Sequence, residues 1–213
     1  MKTDDLIAML ASHAAPPAPR QTARRFGLAL LFGAVGALLL MAAVLGIRND
    51  FAAMAATPVF WGKLAFPAAL ALSALPLVLR LGHPGMKTGK AGWLPVLPLA
   101  FVWLAALVIL MDAPQAARAD LVLGHSWAGC LVNIALLSVP TLAATIWAMQ
   151  GLAPTRPRLA GAASGLLAGA LAATVYALSC REMAVPFWAS WYPLGILLPT
   201  AIGALLGPRL LRW

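Results

Sequence analysis

Residues 26–46 read FGLALLFGAVGALLLMAAVLG, a run of 21 residues without one charge. As a helix rising 1.5 Å per residue the run is about 31 Å long, enough to cross a hydrocarbon layer of roughly 30 Å. A helix on the surface of a water-soluble domain would carry a polar face, and this one has none. The stretch therefore predicts a transmembrane span.

The rest of the chain repeats that pattern. Apolar runs at Val59–Leu79, Trp93–Met111, Trp127–Met149, Leu159–Ser179 and Phe187–Leu206 predict five further spans, the last interrupted by Pro193 and Pro199. The 213 residues are 62% hydrophobic and only 10% charged, and mean hydropathy is +0.90. Soluble domains are about a quarter charged. The runs are too long, and too continuous, for barrel strands. The predicted fold is an all-α integral membrane protein, with residues 26–213 forming a six-helix transmembrane domain.

Orientation follows from the loops, because Lys and Arg accumulate on the cytoplasmic side. With six spans, the side holding both tails and loops 2–3 and 4–5 carries eleven of the fifteen basic residues; the other carries Arg48, Lys63, Arg118 and Arg181. Both termini are thus expected in the cytoplasm, and the net charge of +9 reflects topology and attraction to anionic lipid. The basic residues form no groove with aromatic platforms, so no direct nucleic-acid binding is expected.

Residues 1–25 stand apart. Thr3 is suited to cap a short amphipathic helix, with Asp4 and Asp5 in its first turn, where the helix dipole favours acids. Leu6, Ile7, Met9 and Leu10 make an apolar face. Pro16, Pro17 and Pro19 read as an extended spacer, and Arg20, Arg24 and Arg25 as headgroup anchors. The two acids and the full-length first span argue against a cleaved signal peptide. Such a tail is either a frayed terminus on the bilayer or a docking helix for a cytosolic partner.

Within the spans Lys63 reads as a snorkelling cation near the outer end of span 2. Gly161, Gly165 and Gly169, four apart, form a small-residue stripe that admits a close neighbour, and span 4 is the expected partner because a short loop joins it to span 5. Polar span residues such as Ser138, Thr141, Thr145, Ser164 and Thr174 are expected to satisfy one another or the backbone. Intramembrane carboxylates of the kind that relay protons, phosphate loops and hydrolase motifs are lacking, so catalysis is not expected.

The two cysteines, Cys130 and Cys180, fall at similar depth near the outer ends of spans 4 and 5. Three readings stay open: a static disulfide, two unconnected buried thiols, and a pair that responds to oxidation or to a soft metal ion such as copper. His125 and Met183 are nearby candidate ligands.

The segments MKTDDLI (1–7), TPVFWGKL (57–64), RLGHPG (80–85), GHSWAGCLVNIALLSVP (124–140), YALSCREMAVPFWASWYPLGI (176–196) and GPRLLRW (207–213) together resemble the NrsF family, end to end. These are six-span negative regulators, in the bacterial inner membrane, of extracytoplasmic-function sigma factors of the sigma-F type. The resemblance implies that the cytoplasmic N-terminal segment holds the sigma factor, with Asp4, Asp5, Leu6, Ile7, Met9 and Leu10 as candidate contacts. It also implies that Cys130 and Cys180 sense a metal or oxidative stress. A small metal carrier or channel and a membrane thiol–disulfide redox protein are the alternatives.

Overall fold

The computed structural model describes Met9 and residues 19–46, 48 and 50–212. Met9 is helical and 56% exposed; Asp4, Asp5, Leu6, Ile7 and Leu10 lie outside the described residues, as do Pro16 and Pro17.

Six helices are long and apolar enough to cross a membrane. They are α1 (Pro19–Val44), α3 (Pro58–Gly82), α4 (Val96–Asp112), α6 (Trp127–Gln150), α7 (Pro157–Ala177) and α8 (Val185–Leu210), with short helices α2 (Phe51–Ala55) and α5 (Gln115–Leu123) between them. A 3-10 turn at Gly89–Gly92 precedes α4. Alternating spans put the start of α1 and the end of α8 at one end of the bundle. The opposite, loop-rich end carries residues 45, 46, 48, 50–57, 113–126 and 178–184.

Two proline readings change. Pro19 is the first residue of α1 rather than part of an extended spacer, a position where its missing N–H is no loss. The sixth span is one helix through Pro193, Pro199 and Pro208, since spanning helices tolerate proline where neighbours make good the lost bonds.

Helix α7 is the axis of the bundle, the most buried span, and packs on α8, α3, α6 and α1. Its glycine stripe does not face span 4 as expected but α8. A Cβ at Gly161 would land on the Gly203 carbonyl, one at Gly165 on the Pro199 carbonyl, and one at Gly169 on the Pro199 ring and Ile196. The reason is a matching stripe on α8, where Gly203 and Gly207 meet Gly161, Gly165 and the Pro157 carbonyl in return. Two glycine faces let backbones approach more closely than one. By contrast α4 is mostly exposed, and lies mainly on α8.

The polar span residues follow the expectation in part. Ser138, Thr145 and Thr174 donate to carbonyls one turn back in their own helices. Thr141 Oγ1 and Ser164 Oγ are buried without a hydrogen-bond partner; Thr141 lies where Gly33 of α1 comes closest to α6, and Gly36 meets Pro140 beside it.

Candidate functional site at the loop-rich end

Where α7 stops, residues 178–184 turn back across the bundle before α8 begins. The N–H groups of Leu178, Ser179 and Cys180 close the last turn on Val175 and Tyr176. The carbonyls of Cys180 and Glu182 belong to no helix, and must find donors elsewhere. Lys63 supplies them. Its Nζ donates to the Cys180 carbonyl at 2.7 Å and to the Glu182 carbonyl at 2.7 Å.

Lys63 is therefore not a snorkelling residue. It is 0% exposed, because the 178–184 loop folds over the start of α3 and brings its carbonyls to the ammonium. Among the described residues no carboxylate pairs with it: Arg48–Asp50 is the one salt bridge described. A buried charge without hydrogen-bond acceptors would be expensive, so these carbonyls hold Lys63 as much as it holds them.

Arg48, beyond the end of α1, makes the second connection. Its Nη1 donates to the same Cys180 carbonyl at 2.7 Å, while Nε and Nη2 grip Asp50 at 2.8 and 2.6 Å. The guanidinium holds the Asp50 carboxyl down to about 2, chiefly through these hydrogen bonds, and the Arg48 guanidinium is raised in turn by Asp50. Glu182 makes a third connection, since its Oε1 accepts from the His125 backbone N–H at 2.9 Å and the Ser126 hydroxyl at 3.2 Å. Residues 180–182 thus gather α1, α3 and the α5–α6 turn. That turn hinges on Gly124 at φ +53°, where a Cβ would strike the Phe187 ring and the Glu182 carboxyl.

The cysteines sit inside this junction. Cys130 is 0% exposed and Cys180 3%, and both thiols are free, so no disulfide joins them here. They lie close enough to interact electrostatically, and the Cys180 thiol faces Lys63, Tyr176 and Tyr192. The Tyr192 hydroxyl, although it faces that thiol, satisfies no hydrogen-bond geometry. Its ring lies 6.0 Å from that of Tyr176.

A cavity of about 360 Å³ reaches Cys180 from the side, lined with it by His125, Ser126, Asn133, Tyr176, Ser179, Arg181 and Glu182. His125 and Cys180 thus border the same cavity. Met183 is half-buried, and neither it nor Cys130 is among the cavity residues. Among the described residues, no three His, Cys, Asp or Glu side chains converge as a metal-binding group. Gly161, Gly165 and Gly169 pack the bundle and take no part in this site.

Sequence reasoning missed Lys63, Arg48 and Glu182. A lysine without a nearby acid in span 2 was the available signal, but its acceptors are backbone atoms more than a hundred residues away.

Residues 10–213 match the family described as NrsF, negative regulator of sigma F. The chain is 48% identical over its whole length to the whole of the probable anti-sigma-F factor NrsF of Azospira oryzae. It is 39% identical, again over both full lengths, to the anti-sigma-F factor NrsF of Caulobacter vibrioides. No solved structure matches. A bundle without catalytic motifs, matched end to end by regulators of transcription, belongs to the NrsF family of negative regulators of sigma F, and its role is regulatory rather than enzymatic.

Proposed function

We propose that the chain sequesters an extracytoplasmic-function sigma factor at the bacterial inner membrane. Residues 1–25, on the cytoplasmic side with both termini, form the docking segment and linker. Leu6, Ile7, Met9 and Leu10 give the apolar contact, flanked by Asp4 and Asp5. The sigma factor is released when Cys130 and Cys180, on the periplasmic side, are oxidised or take up a soft metal ion such as copper. Membership of the family carries the regulatory part of this reading; the eleven-to-four bias of basic residues supports the orientation. Two free thiols in one junction support a responsive pair over a static disulfide. The ammonium of Lys63 beside them favours oxidation over a bound cation.

The test is a pull-down in detergent of the sigma factor encoded beside this chain, comparing the full-length protein with a Leu6→Asp/Leu10→Asp variant. Retention by the reduced, metal-free wild type and loss in the variant is the expected result. A wild type that retains no sigma factor overturns the reading and favours a metal carrier, which vesicles containing this protein alone would reveal by metal uptake. Equal retention by the variant removes residues 6–10 from the contact.

A further inference from the structure

We propose that Lys63 and Arg48 are the residues through which a chemical change at Cys180 moves α3 and α1, and so reaches the far end of the bundle. The proposal rests on the reading of Cys130 and Cys180 as the responsive pair, and it adds the mechanical link which that reading lacks.

The link is one atom. The Cys180 carbonyl oxygen accepts from Lys63 Nζ and from Arg48 Nη1, both at 2.7 Å. A carbonyl has two lone pairs, and here each is taken by a cation from a different part of the chain. The cysteine that borders the cavity is thus the one whose backbone carbonyl is tied to two other elements. Lys63 stands on α3, and Arg48 four residues beyond α1.

Oxidation would act on this atom by geometry. In the first step Cys180, the cysteine that borders the cavity, reacts with a peroxide: R–SH + H₂O₂ gives R–SOH + H₂O. The Cys130 thiol then attacks that sulfur, forming the S–S bond and expelling the oxygen as a second water. In sum two thiols are oxidised and one peroxide is reduced to two waters. A disulfide fixes its Cα atoms within about 4.4–6.8 Å and restricts the torsions between them, whereas the free thiols are under no such constraint. Closing the bond ties the Cys180 side chain to α6 through Cys130, and in this proposal the Cys180 peptide adjusts and carries its carbonyl with it.

Lys63 cannot let that carbonyl go cheaply. It is wholly buried, and loss of an acceptor leaves an ammonium under-solvated. Arg48 is restrained as well, since its other donors hold Asp50. The lower-energy response is for α3 and the end of α1 to follow the loop. Helix α1 then carries the shift to Pro19 and the proposed docking segment, and it is packed on α6 through the close contacts of Gly33 and Gly36. A ligand or modification shifts such an equilibrium only through interactions that differ between the states, and the two bonds to this carbonyl supply the difference.

The experiment uses the full-length protein in nanodiscs with the sigma factor bound, and hydrogen peroxide as the oxidant. Two quantities are read from each sample: disulfide formation, by mass spectrometry after alkylation, and the fraction of sigma factor released. In Lys63→Met and Arg48→Gln, and most in the double variant, the disulfide forms as in wild type while release falls about fivefold or more. Release equal to wild type in the double variant overturns the proposal. So does failure of the disulfide to form, because the residues would then govern reactivity rather than transmission. A wild type that forms the disulfide and keeps its sigma factor overturns the underlying sensor reading instead. Should the variants not fold, Arg48→Lys keeps the charge but cannot hold Asp50 and the carbonyl together, and about twofold weaker release is expected from it; unchanged release by Arg48→Lys then overturns the proposal.

Discussion

Both ends of the bundle use a basic side chain to serve carbonyls left over where a helix finishes, yet the two arrangements differ in what surrounds them. At the loop-rich end Lys63 is sealed from solvent and binds the loop that follows α7. At the terminal end Arg25, half-buried with its Nε buried and without a hydrogen-bond partner, donates to the Trp147 carbonyl at 2.8 Å in an exposed hydrogen bond and lies 4.5 Å above the Trp147 ring. Gln150 similarly reaches the Leu210 carbonyl at 3.1 Å. Water can replace a donor at the terminal end, and cannot do so around Lys63. The same kind of bond therefore makes a firm junction at one end and a yielding one at the other. Under the function proposed above, the firm end is where the cysteines lie and the yielding end is where the docking segment begins.

Paired glycine substitutions probe the contrast most directly, and the largest effect belongs to the loop-rich end. Gly124 has φ +53° and ψ −162°, a combination that is essentially confined to glycine. Gly124→Ala adds backbone strain to a collision with Phe187 and the Glu182 carboxyl. The expected cost is about 2–5 kcal/mol, seen as a large fall in the detergent melting temperature or as failure to purify as a single species. A melting temperature equal to wild type would show that this junction yields as readily as the other end.

A smaller effect separates the charged rim of the junction from its buried centre. The folded-state carboxyl of Asp50 is lowered from 3.8 to about 2 by Arg48. A depressed carboxylate contributes stability above its unfolded value, and loses it as pH falls through the folded one. The Arg48–Asp50 contribution is thus complete above about pH 5, shrinks as pH falls towards 2 and is lost below that. Asp50→Asn should lower the melting temperature modestly at pH 7, and by much less near pH 2. Because Asp50 is exposed, salt should shrink the difference; a difference that persists in full near pH 2 would contradict an ionic origin.

What could be read from the chain divides along the same line. The spans were legible because bilayer thickness imposes a length and a composition on contiguous residues, as in 26–46. Gly161, Gly165 and Gly169 announced close packing for the same reason, since a periodic stripe is a local property. Their partner was hidden: in α8 the prolines drew attention to a broken helix, while Gly203 and Gly207 carried the matching face. At the site, Cys130 and Cys180 were set at similar depth by the span boundaries, while His125 and Met183 were named only because they are close to them in sequence. Lys63 was misplaced because its partners are backbone carbonyls, which every residue has and no motif marks.

The smallest effect is expected at Gly151, and it tests the terminal end. The Cβ of an alanine there would meet the Arg25 guanidinium, the free end of a long side chain rather than backbone, and Gly151 has an ordinary φ of −81°. Displacing that group sacrifices one exposed hydrogen bond to Trp147 and part of a cation–π contact, together worth about 1 kcal/mol or less. Gly151→Ala and Arg25→Ala should consequently lower stability by similar small amounts, and the double variant by little more than either, because both remove the same contact. Additive losses in that cycle would mean Gly151 is constrained by something other than Arg25. A loss as large as that of Gly124→Ala would erase the distinction between the ends, and with it the view that the terminal end is the one free to rearrange.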